Sequence, residues 1–228
     1  MAITLGSLTF DEGHTSVVEK HEEVGGRDGR RIELQGLILG EHSVADIEAR
    51  LDAILDASSV ESYETALTVR EDRQMWVRRV KFSREISRQP LVGSFALELE
   101  AEDPFEESIE EQEVEWVIAT SGATKTVSSD GNVFSKPRIA LVADGDVVNP
   151  SFSDGTRSLT YLGTVGDGET LDIDGPAGEV TLGGVNVTPY TSGCFPRVEP
   201  EGTTLTYADD ASSSHSAAVT VAFLDRWW

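Results

Sequence analysis

Apolar and polar positions alternate from Arg30 to Leu39 (RRIELQGLIL), with Ile32 and Leu34 on one side and Glu33 and Gln35 on the other, the pattern of a strand with one buried face. Gly36 interrupts it and predicts a bulge or a bend. Beyond Gly40 the period changes. Val44, Ile47, Leu51, Ile54 and Leu55 share one stripe, while Glu41, Glu48, Arg50, Asp52 and Asp56 are left to solvent, which predicts an amphipathic helix over Ser43 to Ala57. Ser43 is its cap, and Asp46 stands where a capping box usually has Glu. Ile3 to Phe10 predicts a weaker first strand. The acidic connection from Asp11 to Gly29, with Gly25-Gly26, reads either as an extended arm or as a hairpin closed at Asp28-Gly29. Thr65 to Arg70 and Met75 to Phe82 predict a hairpin in which Trp76 and a flanking valine pack inward. Ser94 to Ala101 predicts a strand with Phe95, Leu97 and Leu99 on one face, ended by Asp103-Pro104-Phe105 because proline cannot donate to a ladder.

From Ser128 the helical period disappears. Short alternating runs recur at Pro137 to Ala143, Leu159 to Leu162, Glu169 to Ile173, Glu179 to Val187, Thr203 to Tyr207 and Ala217 to Leu224, punctuated by Asp-Gly pairs and by Gly183-Gly184. Short strands with regular turn signals predict a β-sandwich. Between the two regions lies an acid-rich stretch, and Glu106 to Glu113 reads as a solvated linker or an edge. Val114, Trp116, Val117 and Ile118 mark the return to strand. The chain thus divides into an α+β N-terminal module of antiparallel strands with one helix (1–105), an acidic linker or edge (106–127) and an all-β sandwich (128–228).

Charge narrows the function. Against 18 Lys plus Arg stand 41 Asp plus Glu, a formal charge of −23. Such a field opposes nucleic-acid binding through phosphates, so no sequence-specific nucleic acid is expected as a partner. Only Lys20, Lys81, Lys125 and Lys136 are lysines, and the acid is spread along the whole chain, which fits a high-salt environment where self-repulsion is screened. The N-terminal residues lack a basic and apolar export signal, and no run of about 18 apolar residues occurs, so no membrane insertion is expected.

Candidate chemistry is sparse. Cys194 has no second cysteine to pair with and reads as a buried or half-buried small side chain. His14, His21, His42 and His215 read as surface residues, and no metal-ligand spacing or EF-hand loop occurs. Gly163 to Gly168 lacks the lysine and helix of a phosphate cradle. No cofactor, metal or catalytic residue is expected. Most aromatic residues of the second half point into a core by their alternation. Trp227 and Trp228, being adjacent, face opposite ways, so one of them is a candidate subunit-interface residue.

The order of these pieces resembles the distal tail proteins of long-tailed, siphovirus-type viruses. The resemblance rests on RRIELQGLILG at Arg30 to Gly40, the helix from Ser43, and FALELEAEDPF at Phe95 to Phe105. In the second half it rests on GNVFSKPRIAL at Gly131 to Leu141, Val148 to Phe152, Leu159 to Tyr161, Glu169 to Ile173, Phe195 to Tyr207 and the closing Arg226-Trp227-Trp228. Pro200-Glu201-Gly202-Thr203 departs from the family's Pro-Gly-Asn-Asn. The resemblance implies a structural virion protein rather than an enzyme, with a C-terminal sandwich similar to galectins and carbohydrate-binding modules. It further implies a homo-oligomeric ring of six copies at the tail tip, joining the tail tube protein to hub, fibre or receptor-binding proteins. With the composition, it points to a virus of a halophilic archaeon. Glu33, Glu98 and Glu100 are then candidate lumen-facing or solvent-facing acids on an acidic channel wall. The alternative from another class is a carbohydrate-binding host-attachment protein acting through the sandwich. An envelope-degrading enzyme is a third reading.

Overall fold

A computed structural model describes residues 2–24 and 26–228; Gly25 of the expected Gly25-Gly26 pair lies outside the described residues. The chain forms two compact units, residues 1–109 with Trp228, and residues 110–227.

The first unit contains β1 (Thr4–Leu5), β2 (Leu8–Thr9), β3 (Thr15–Val24), β4 (Arg27–Ile38), α1 (Val44–Asp56), β5 (Thr65–Arg70), β6 (Arg73–Arg88), β7 (Leu91–Ala101) and β8 (Glu106–Ser108). Its main sheet has the order β2-β1-β5-β6-β7-β4-β3, and β8 adds to the start of β6 on the side opposite β5. All its pairings are antiparallel. The expected first strand is two short ones, because Gly6 adopts a positive φ of 57° and reverses the chain. The Asp11 to Gly29 connection is a hairpin, but it closes at Val24 and Arg27 rather than at Asp28-Gly29.

The helix forms where its stripe and cap predict it. Ser43 Oγ accepts a hydrogen bond from the Asp46 amide at 3.1 Å and donates one to the Asp46 carboxylate at 2.7 Å. Arg79 donates to the Leu55 carbonyl, satisfying one of the free acceptors that end every helix. Ile47, Leu51 and Ile54 are buried against Ile32, Leu34, Ile38, Phe95, Leu97 and Leu99 of the sheet. Two expectations are corrected here. Gly36 sits in an unbroken β4–β7 register, and glycine is required because a Cβ would lie 2.6 Å from the Phe95 ring. Trp76 is exposed, because the two-residue period of β6 turns Met75 and Val77 inward instead.

The second unit contains β9 (Gln112–Ile118), β10 (Thr124–Val127), β11 (Arg138–Ala143), β12 (Val147–Val148), β13 (Ser151–Ser153), β14 (Ser158–Tyr161), β15 (Thr164–Val165), β16 (Thr170–Asp174), β17 (Glu179–Leu182), β18 (Val185–Asn186), β19 (Thr191–Gly193), β20 (Thr203–Ala208) and β21 (Ala217–Phe223). Sheets of order β18-β17-β16-β11-β21-β9 and β10-β20-β13-β14-β19 pack face to face. Trp116, Phe152 and Tyr207 meet between them, with ring centroids 6.3 and 5.6 Å apart along the chain of three. The stretch 106–127, expected as a linker or edge, carries β8, β9 and β10, of which β9 and β10 are edge strands.

Candidate functional site: the open face and edges of the first sheet

Helix α1 covers one face of the β6-β7-β4-β3 sheet and leaves the other open. Strand register assigns the open face row by row: Ser16, Gln35, Ala96 and Ser83; then Val18, Glu33, Glu98 and Lys81; then Lys20, Arg31, Glu100 and Arg78. The row of small side chains floors a shallow trough of about 680 Å³. The other two rows form an ion network. Lys20 meets Glu33 at 3.0 Å, Arg31 meets Glu22 at 2.6 Å and Glu98 at 2.5 Å, and Arg78 meets Glu100 at 2.6 Å.

The three singled-out acids therefore differ. Glu33 and Glu98 stand half-buried on the open face. Glu100 is only 6% exposed, which corrects its reading as solvent-facing: the Tyr63 hydroxyl donates to it at 3.1 Å and Arg78 closes over it. Burial, and then this bond to Glu100, raise the Tyr63 pKa. The Glu100 hydrogen bond likewise raises that of Arg78. With Glu22 and Glu85 included, the described side chains of this face are five carboxylates and four cations, so these are close to balanced within a chain of −23.

Sequence reasoning missed two features. One is a buried ion cluster. Glu106, 3% exposed, meets Arg70, Arg30 at 3.7 Å and Arg73 at 3.9 Å, and Glu19 bridges Arg30 and Arg70 at 3.1 and 3.3 Å. Burial opposes the Arg70 charge, but Glu19 and Glu106 outweigh it and raise its pKa. The other is a pair of open sheet edges. Among the described residues no strand pairs with the outer side of β3, nor with β6 beyond Arg79 on the side away from β7. The signal for the latter was available: six of the eighteen cations lie in the sixteen residues of β6.

Elsewhere, Trp228 is 56% exposed, with its ring 5.1 Å from that of His21 and 5.2 Å from that of Phe105, while Trp227 is half-buried. Cys194 is exposed, a correction, because it follows edge strand β19 directly. His14, His21 and His42 are exposed as expected, but His215 is half-buried and its Nδ1 bonds Asp209 at 2.8 Å. Tyr207 donates to the same carboxylate at 2.7 Å, and burial, then Asp209, push its pKa far up. Phe152, Tyr207 and Phe223 are core residues, Phe134 lies under Arg197 at 3.8 Å, and Tyr190 is exposed. Among the described residues no group of three or more His, Cys, Asp or Glu is placed to hold a metal ion. Among them also, no helix is long and apolar enough to cross a membrane.

No protein-family model matches the chain, and no curated protein matches it in sequence. Its fold does match a solved structure. The crystal structure of Dit from phage SPP1, presented as a paradigm of the hub adsorption apparatus in phages infecting Gram-positive hosts, superposes with a TM-score of 0.72 at 12% identity. The match covers 100% of this chain and 99% of that one, so the two share a fold from end to end.

Proposed function

We propose that this chain is a structural virion protein of the distal-tail type: a ring of six copies at the tail tip that joins the tube to hub, fibre or receptor-binding proteins. The observation that carries the reading is the end-to-end fold likeness to SPP1 Dit, in which both units correspond in order. A likeness of one unit alone would say little, since folds are reused for unrelated work. The open edges support it, because a sheet open on both sides can join head to tail with copies of itself, and such heterologous contacts close into rings when the rotation permits. In this reading the first unit is the ring-forming α+β module and the second a galectin-like sandwich. The near-neutral open face lines the channel with Glu33 and Glu98, and Trp227 or Trp228 lies at a subunit contact. The acidic composition supports a virus whose host lives in concentrated salt.

No catalytic group is needed for this role: the part works by geometry. Negative-stain electron microscopy of the purified chain in molar salt tests it. Closed rings with a central opening are expected; particles that stay monomeric in every buffer would overturn it.

A further inference from the structure

The sandwich of the second unit has two outer faces, and strand register assigns the side chains of each. On the six-stranded sheet the outward positions include Glu115, Arg138, Asp172 and Asp174, the charged surface that the composition leads one to expect. The five-stranded sheet is different. Thr124, Thr206, Ser153 and Ser158 form one row across four strands, and Ser151, Thr160 and Ser192 lie in the next. Apart from Ala208, every outward strand position of this sheet is serine or threonine, and none is buried. Ser151 and Ser153 donate to the carbonyls of Ala208 and Arg157 at 3.2 and 2.9 Å, but the hydroxyls of Thr124, Thr206, Ser158, Thr160 and Ser192 bond no other group among the described residues. Beside Thr160 and Ser192 the ladder runs on by one pair: the Leu162 amide donates to the Tyr190 carbonyl at 2.8 Å, and both side chains are exposed, Tyr190 by 63%.

We infer that this face binds an uncharged polysaccharide. The inference stands apart from the ring reading and rests on what the face is able to recognise. A polyanion, nucleic acid included, meets no cation at the outward strand positions and a chain of −23 behind them. A specific protein interface has a core of apolar and aromatic side chains, and the two rows supply none. Hydroxyls instead both donate and accept, and they give up water at far less cost than charges do. A sugar chain presents the same groups, so each contact can form in either sense. Strands about 4.8 Å apart, with outward positions about 6.7 Å apart along each, set out a grid on which one extended chain meets several hydroxyls together. At its border Tyr190 adds an exposed ring with an apolar face and a polar tip, which suits the C–H side of a sugar ring. The absence of charge is then a requirement of the site, because an ionised group here would be desolvated without a counter-charge.

Native gels of the full chain, cast with uncharged polysaccharides (dextran, mannan and a β-glucan) or with anionic ones (alginate and hyaluronate), test this. Retardation by at least one uncharged polymer and by neither anionic one is expected. Thr160→Val with Thr206→Val removes two hydroxyls at almost constant volume and should weaken binding about tenfold, as should Thr206→Arg. Thr220→Arg makes the same change of charge on the outer face of the other sheet and should leave binding unaltered. Circular dichroism checks that each variant folds. Should the valine pair fail that check, Tyr190→Ala, at an exposed position, carries the test with a severalfold loss. Retardation by no uncharged polymer overturns the inference, as does retardation by the anionic polymers that is equally strong. Binding that the valine pair strengthens or leaves unchanged overturns it too, since that is the response of an apolar contact. None of these outcomes bears on ring formation seen by electron microscopy, so the two readings fail separately.

Discussion

In the second unit two sheets cover each other, and the buried residues of both, from Trp116 and Leu141 to Phe152 and Tyr207, form one sealed core. In the first unit a single helix covers one face of a sheet, and the opposite face is finished with ion pairs rather than a second layer. The contrast separates two ways of ending a sheet. Covering a face with apolar side chains makes a unit that is complete in itself. Finishing it with matched charges keeps the face soluble yet available, and leaving the edges unpaired keeps the sheet extendable. In the ring proposed above, the first unit is the one that another copy would continue.

The sharpest way to break this comparison is to damage one core and watch the other. Phe152 is fully buried between Trp116 and Tyr207, so Phe152→Ala should cost about 3–5 kcal/mol in the second unit. Calorimetry should then show one transition lowered and the other unmoved; a common shift of both would mean the two units unfold as one. The counterpart in the first unit is Glu106→Gln, which leaves Arg30, Arg70 and Arg73 around a neutral amide. Breaking a buried pair from one side costs about 3 kcal/mol, confined here to the first unit's transition. Gly36→Ala should cost about 2 kcal/mol there, since the Phe95 ring must move to admit the methyl. A Gly36→Ala protein of unchanged stability would show that the Phe95 ring gives way freely and that the close approach does not require glycine.

These residues also mark how far the sequence could be read. Helix α1 was legible because stripe and cap agree, and both are local: Ser43 and Asp46 are three residues apart. The alternating runs of the second unit were legible for the same reason, and β11, β16, β20 and β21 fall within a residue or two of the runs that predict them. Glu179 to Val187 resolves into β17 and β18 around Gly183-Gly184, at the turn those glycines announce. Strand β3 was left ambiguous because Glu-Lys-His-Glu-Glu gives it no buried face to read. Gly36 was misread because its constraint comes from Phe95, distant in sequence. The burial of Glu106 was illegible because an acid among acids looks solvated, and only the fold brings Arg30 and Arg70 to it. The open edges lie between these cases: the cation excess of β6 is plain in the sequence, but only topology says that its far half has no second neighbour.

A last measurement asks whether the second unit depends on charge at all, as the first does. Asp154 is a carboxylate with four donors, accepting from the amides of Thr156 at 2.8 Å, Arg157 at 2.6 Å and Arg197 at 2.9 Å, with the Arg157 guanidinium at 3.2 Å. Burial alone would raise its pKa, but these donors outweigh it and hold the group below its ordinary value. A carboxyl with a depressed pKa in the folded state contributes stability that is fully present above its unfolded pKa of about 3.9 and is lost as pH falls through the folded value. Asp154→Asn puts an amide NH2 where two donors converge, and should cost about 1 kcal/mol at neutral pH. The gap to the wild type should narrow as pH drops below about 4, because the wild-type carboxyl then protonates and loses the same advantage. Urea titrations of both proteins at neutral pH and at the lowest pH where the wild type still folds would measure it. A gap that stays constant would place the effect of Asp154 in hydrogen-bond geometry rather than in charge.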